Sequence, residues 1–367
     1  MLSFLYFLTA LIASLLLTLI AMPWLLRLCE RRGLYDMPNE RKVHSNKIPR
    51  LGGLLFVPAM AVGFALSMLV MVLTDGEQAV PVFRLSTLIM AVGLFLLYLI
   101  GILDDLLGLR ASFKFLAQAA ATAFMPLCGL YIDNFYGFCG IYALPIWVSY
   151  PLTVFVCLLI VNSINLIDGI DGLSSGLCIL SLSAFALLFM HLNVMTYTLL
   201  AAGLVGTLIG FFYFNMFGKV ERGTKTFMGD TGTLVLGYAI AYLAIKFAMN
   251  NNSVLPYRPC ALLVSFTLVA VPTLDLVRVA IGRILGGKGI FHPDKTHIHH
   301  RAMAAGYTMH QSLAIILVLQ LTIIAINFGG YFLLDLSSNI LVPIDLALFA
   351  SLILWFGHRQ RQHATVS

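Results

Sequence analysis

Two aspartates three residues apart, Asp168 and Asp171, each followed by glycine, close the stretch NSINLIDGIDG at residues 162–172. They follow an apolar run, residues 146–161, that reads as a membrane span, so two carboxylates arrive where a helix leaves hydrocarbon. An acid at the bilayer centre costs about 2.5–3.5 kcal/mol on insertion scales, and even near the edge ionisable groups gather only with a partner. If the helix continues, the i, i+3 spacing puts both acids on one face, while Gly169 and Gly172 let backbone approach a ligand closely. Taken alone, the same residues equally describe a helix end with an Asp cap on the next span.

Four other stretches carry comparable chemistry. In GILDDLLGLR, residues 101–110, Asp104 and Asp105 are adjacent, with Lys114 close behind. Neighbouring carboxylates on a membrane helix repel, so a cation or a proton must relieve them; a metal, phosphate brought by a metal, or Lys114 at a solvated helix end would each do so. KTFMGDTGT, residues 225–233, sets Asp230 on a glycine-flanked turn at a helix start, where a carboxylate can reach a cation and backbone N–H groups can meet phosphate. Phe227 beside it is either a platform for a flat base or an interfacial aromatic anchor. HPDKTHIHH, residues 292–300, gathers His292, His297, His299 and His300 around Asp294 and Lys295, with Arg301 next. Without cysteine or HExxH, hydrogen bonding to phosphate oxygens suits this cluster better than zinc, and a solvated polar loop is the plain alternative. DMPNERKVHSNKIPRLGG, residues 36–53, is mostly a topogenic, headgroup-binding loop, within which Lys42 and His44 are candidates for substrate contact. Asn165 and Asn162, one helical turn apart, can supply hydrogen bonds near the paired acids.

The elements that must hold these residues are membrane helices. With 60% hydrophobic and 10% charged residues in 367, the chain is expected to be all-α and polytopic, one membrane-embedded domain over residues 1–367. A net charge of +6 would suggest nucleic acid if it were spread over a surface, but Lys and Arg sit in a few loops between apolar runs, so no nucleic-acid partner is expected. Six cysteines without CxxC spacing imply neither a disulfide framework nor a zinc site. The first run lacks a basic leader and a small-residue cleavage pattern and reads as a retained span. Eleven spans are expected, near 2–26, 51–73, 85–103, 113–130, 146–165, 173–190, 197–215, 232–249, 259–281, 311–330 and 340–357. One face then collects 19 of the 22 Lys and Arg residues, leaving only Arg84, Lys246 and Arg258 opposite. The positive-inside rule sets the amino terminus outside and the carboxyl terminus in the cytosol. Asp104, Asp105, Asp168, Asp171, Asp230 and Asp294 share that cytosolic side with the cations. Such a rim is what Mg²⁺ bound with substrate phosphates requires.

Asp104–Asp105, NLIDGIDG, FMGDTG and PDKTHIHH, in this order, closely resemble the polyprenyl-phosphate N-acetylhexosamine-1-phosphate transferases, over roughly residues 27–301. The His-Ile-His-His form resembles the branch using UDP-GlcNAc or a related UDP-HexNAc, as in bacterial enzymes that begin O-antigen, teichoic-acid or capsule assembly. The resemblance implies transfer of sugar 1-phosphate from the UDP-sugar to polyprenyl phosphate in the inner leaflet of the bacterial plasma membrane, with release of UMP and dependence on Mg²⁺, Mn²⁺ being an alternative. It implies Asp230 as metal ligand assisted by Asp105, and Asp104 as the acid that deprotonates or orients the lipid phosphate. Asp168 and Asp171 are implied by the nucleotide, Asp171 near a uracil stacked on Phe227. Lys114, His297, His299 and His300 are implied at phosphates, Asn165 and Asn215 as polar lining, and Lys42 and His44 as weaker matches. A homodimer is left open. The rival class is an ion-coupled transporter, whose acids would sit at the midplane between repeated halves, and no repeat is visible. A structural or lipid-binding scaffold is the third reading.

Overall fold

The computed structural model describes residues 2–36, 48–81, 83–250, 255–289 and 295–366, so Lys42, His44, His292 and Asp294 lie outside the described residues. The expected all-α class is observed. The helices are α1 (Leu2–Arg32), α2 (Phe56–Asp75), α3 (Leu85–Leu107), α4 (Ala111–Leu127), α5 (Ile146–Ile167), α6 (Leu173–His191), α7 (Met195–Phe217), α8 (Gly229–Ala248), α9 (Ala261–Leu285), α10 (Ile298–Ala304), α11 (Met309–Leu334) and α12 (Ser338–Val366). The described strands are two-residue pieces, β1 (Tyr35–Asp36) and β2 (Ile48–Pro49), paired antiparallel.

Ten helices among the described residues, not eleven, are long and apolar enough to cross a membrane. The difference is α4, only 17 residues long, with Pro126 in its last turn. At 1.5 Å per residue it reaches about 26 Å, short of the usual hydrocarbon thickness. It still packs between α3 and α5, and its Gln118 is buried.

α8 is the hub, walled by α3, α5 and α9, and buried along its whole length. A helix that is apolar on every side belongs inside protein rather than at an interface with lipid. Its approach to the opening of α2 is close: a Cβ at Gly53 would strike the backbone of Gly232. Outer helices instead carry exposed Leu16, Ile20 and Trp24 on α1 and Leu333 on α11, the apolar surface a bilayer covers.

α9 runs continuously through Pro272, which removes one backbone donor. Polar side chains repair the gap. Ser181 donates to the Leu268 carbonyl at 2.5 Å; Gln320 accepts from the Val271 N–H at 3.1 Å and donates to the Thr267 carbonyl at 2.8 Å. α11 begins with a capping box in which the Thr308 hydroxyl accepts from the Gln311 N–H and the Gln311 side chain accepts from that of Thr308.

Candidate active site

Consecutive helices run up and down, so the carboxyl end of α3, the amino end of α4, the carboxyl end of α5 and the amino ends of α6 and α8 meet at one end of the bundle. Asp104 and Asp105 close α3, Lys114 opens α4, and Asp230 is the second residue of α8. Carboxylate oxygens of Asp104, Asp105 and Asp230 all lie within 4.8 Å of one another. The Lys114 ammonium bridges two of them, 3.0 Å from Asp104 and 2.9 Å from Asp230. This is the relief of like charge that the adjacent acids required.

Each acid has a distinct environment. Asp105 is 7% exposed and caps α8: its oxygens accept from the N–H groups of Asp230 and Thr231, both at 2.9 Å, and from the Thr231 hydroxyl at 2.6 Å. Asp104 accepts from the Leu109 N–H at 2.7 Å, holding the turn that follows α3. Asp230 accepts from Asn165 at 2.5 Å through one oxygen and from Lys114 at 2.9 Å through the other, and it lines a cavity of about 430 Å³. Gly229 makes this possible: φ is +71°, and a side chain there would collide with the Arg50 carbonyl and the Asp105 carboxylate.

Asn165, Asp168, Asp171, Asn215, Phe227 and His300 also line this cavity. Asp168 follows the last residue of α5 and opens into it. Solvent reaches the carboxyl through the cavity, but the protein wall limits its hydration. That loss, and then the charges of Asp171, Asp230 and Asp105, hold its pKa above the ordinary carboxylate range. Asp171 is paired with Lys225 at 2.5 Å. Asn215 spends its amide on chain ties, accepting from the Gly172 N–H at 2.7 Å and donating to the Thr226 carbonyl at 2.9 Å.

The histidines divide. His300 lines the cavity, whereas His299 does not: it is 1% exposed, packed against Gly169, and neither ring nitrogen has a hydrogen-bond partner. One helical turn cannot present adjacent residues to the same side, and here the inward one is His299. Burial, then the neighbouring His300 and His297, lowers its pKa to about 3, so it packs as a neutral ring. His299, expected among the substrate contacts, packs behind the DGIDG turn. His297 is also buried, its Nδ1 2.8 Å from Asp275.

Three contributors went unrecognised in the sequence. Arg50, counted as a topogenic cation, donates to the backbone carbonyls of Asp104 and Asp105 at the end of α3 and borders the cavity. Lys225 was visible only as another loop charge. Asp275 lies inside an apolar span, and an acid at such a place was itself the available signal.

The donor set suits a hard cation. Three carboxylates offer oxygen only, and Lys114 shows that positive charge is accommodated between two of them. Asp230 is the most open of the three, its two oxygens held by the side chains of Asn165 and Lys114, while those of Asp105 are tied to the backbone N–H groups that open α8.

The model of the glycosyl transferase family 4 matches residues 87–248. A Bacillus subtilis (strain 168) protein named "Probable undecaprenyl-phosphate N-acetylglucosaminyl 1-phosphate transferase" is 33% identical over 315 residues, covering 84% of this chain and 80% of its own length. Proteins of Yersinia pestis (29% identical, 89% of this chain and 84% of theirs) and Escherichia coli K12 (26%, 84% and 79%) are named undecaprenyl-phosphate alpha-N-acetylglucosaminyl 1-phosphate transferases. With similarity running through the helices that carry every described acid of the site, this chain belongs to the polyprenyl-phosphate N-acetylhexosamine-1-phosphate transferase family.

Proposed function

We propose that the protein transfers GlcNAc-1-phosphate from UDP-GlcNAc to undecaprenyl phosphate at the cytosolic face of the bacterial inner membrane, releasing UMP and forming the first lipid-linked intermediate of a surface glycan. The observation that carries this is the meeting of Asp104, Asp105, Asp230 and Lys114 in one cluster, whose Asp105 and Asp230 line the cavity. An oxygen of the lipid phosphate attacks the sugar-bearing phosphorus, the bond from that phosphorus to the UMP oxygen breaks, and one phosphoanhydride replaces another. Phosphoryl transfer of this kind depends on positioning and on neutralising oxygen charge.

Mg²⁺, held by Asp230 with Asp104 and Asp105 beside it, would supply charge neutralisation on the phosphate oxygens. Lys114 is placed to meet a phosphate oxygen once a cation frees it from the acids. Asp104 orients the attacking phosphate. Phe227 offers its ring to the uracil on the cavity wall, with Asp171 nearby and His300 and Asn165 as further polar contacts. The cavity at the end of the helix bundle lets the acceptor keep its tail in hydrocarbon while its phosphate meets the nucleotide-sugar.

The test is incubation of the purified protein with UDP-GlcNAc, undecaprenyl phosphate and Mg²⁺. UMP release, lost in Asp230→Asn while that variant remains folded, is the expected result. No UMP from any UDP-HexNAc, together with ion-driven uptake into proteoliposomes, would instead establish a transporter.

A further inference from the structure

Asp275 lies on α9 one turn beyond Pro272, at 1% exposure, in a segment that reads as membrane-spanning. A buried carboxylate there is tolerated only if its lone pairs are met. They are. Oδ1 accepts from the Ile298 N–H at 3.0 Å and from Arg278 Nη2 at 2.7 Å, and Oδ2 lies 2.8 Å from His297 Nδ1. Arg278 also donates to the Thr296 carbonyl at 2.5 Å, so α9 grips both sides of His297 through one side chain and its neighbour.

The chemistry of these partners assigns a proton. Two N–H donors already point at Oδ1, so Asp275 acts purely as an acceptor, and the ring nitrogen facing Oδ2 must carry hydrogen. We infer that Asp275 is a positioning residue which keeps the His297 proton on Nδ1, reserving the Nε2 lone pair as an acceptor for the hydroxyl of a singly protonated substrate phosphate. This rests on the transferase reading.

Asparagine is a discriminating replacement. It has the shape of aspartate but one acceptor oxygen; if that oxygen serves Ile298 and Arg278, its NH₂ faces His297 and drives the proton to Nε2. The full-length protein in nanodiscs, labelled with ¹⁵N-histidine and with His297 assigned by difference against His297→Asn, reads the tautomer directly. The expected spectrum shows hydrogen on Nδ1 in the wild type and its loss from Nδ1 in Asp275→Asn. An unprotonated Nδ1 in the wild type overturns the inference, whether or not the variant folds. For turnover, Asp275→Asn should lower kcat/KM about 10–100-fold. In a His297→Ala background the same change should alter it by less than about twofold. Equal losses in both backgrounds would show that Asp275 does not act through the ring. Should the wild type release no UMP, the transferase reading fails, and the ring spectrum still decides the placement of the proton.

Discussion

Asp105 and Asp230 belong to one cluster of acids, but their surroundings assign them different work. Asp105 caps α8 through both oxygens, so Asp105→Asn puts an NH₂ against a backbone donor and should cost stability as well as turnover, about 1–3 kcal/mol by chemical denaturation. Asp230→Asn should remove nearly all turnover while the variant remains folded, at a small cost in melting temperature from the lost pair with Lys114. Phe227→Ala should raise the KM for the UDP-sugar more than it lowers kcat, because stacking is nearly uniform between ground and transition states; an unchanged KM would leave Phe227 as a membrane-interface anchor. Asp168 has a raised pKa, so the folded protein holds that proton more tightly than the unfolded chain does. Stability from this group is therefore highest below the ordinary carboxylate pKa, about 3.9, and falls as pH rises toward the raised value. Asp168→Asn removes that dependence. In buffer without divalent ions its gain in melting temperature over the wild type should be greater at pH 8 than at pH 5, and a gain equal at both would contradict the shift.

At the scale of the element, the paired acids were legible because a charge at the end of an apolar run is costly and therefore informative. DGIDG, the double Asp and GDTG all fell at helix boundaries, where the expected spans had placed them. What the runs could not show was which helix faces would touch. Gly53 and Gly232 are far apart in the chain, and only packing reveals that α8 comes so near the start of α2. Gly53→Ala should force those backbones apart and displace Asp230 with them, costing about 1–3 kcal/mol in stability and at least about tenfold in turnover. Retained activity at wild-type stability would mean that the seam does not set the position of Asp230. α4 occupies the span expected near 113–130 but ends early for a related reason: an apolar run of adequate length does not disclose where hydrogen bonding stops, and Pro126 lies close to that limit.

For the whole molecule, orientation decides whether the cavity faces nucleotide-sugar at all. The uneven distribution of Lys and Arg predicts that a cysteine at Ser337 reacts with a membrane-impermeant thiol reagent added to intact cells, while one at Gln362 reacts only after permeabilisation. Both are read in a Cys139→Ser background, since Cys139 is exposed. The reverse pattern would put the acid cluster outside and remove it from its proposed donor. Chelating Mg²⁺ should abolish UMP release by the wild type, with activity returning on re-addition of Mg²⁺; turnover that persists under chelation would exclude the metal role given to Asp230.

From the residues alone came the membrane class, the order of the spans, the loops that carry acids and the family those motifs resemble. These are properties of local composition, because hydrocarbon sorts side chains by polarity wherever they occur along the chain. Tertiary structure decided how the acids divide their labour: Asp105 turned to the amino end of α8, Asp230 to the cavity, His299 into the wall and Asp275 onto His297. Those assignments depend on which helices lie side by side and at what rotation, and that is settled by packing between residues a hundred or more positions apart, such as Asp105 and Asp230, which leaves no periodic trace in the sequence.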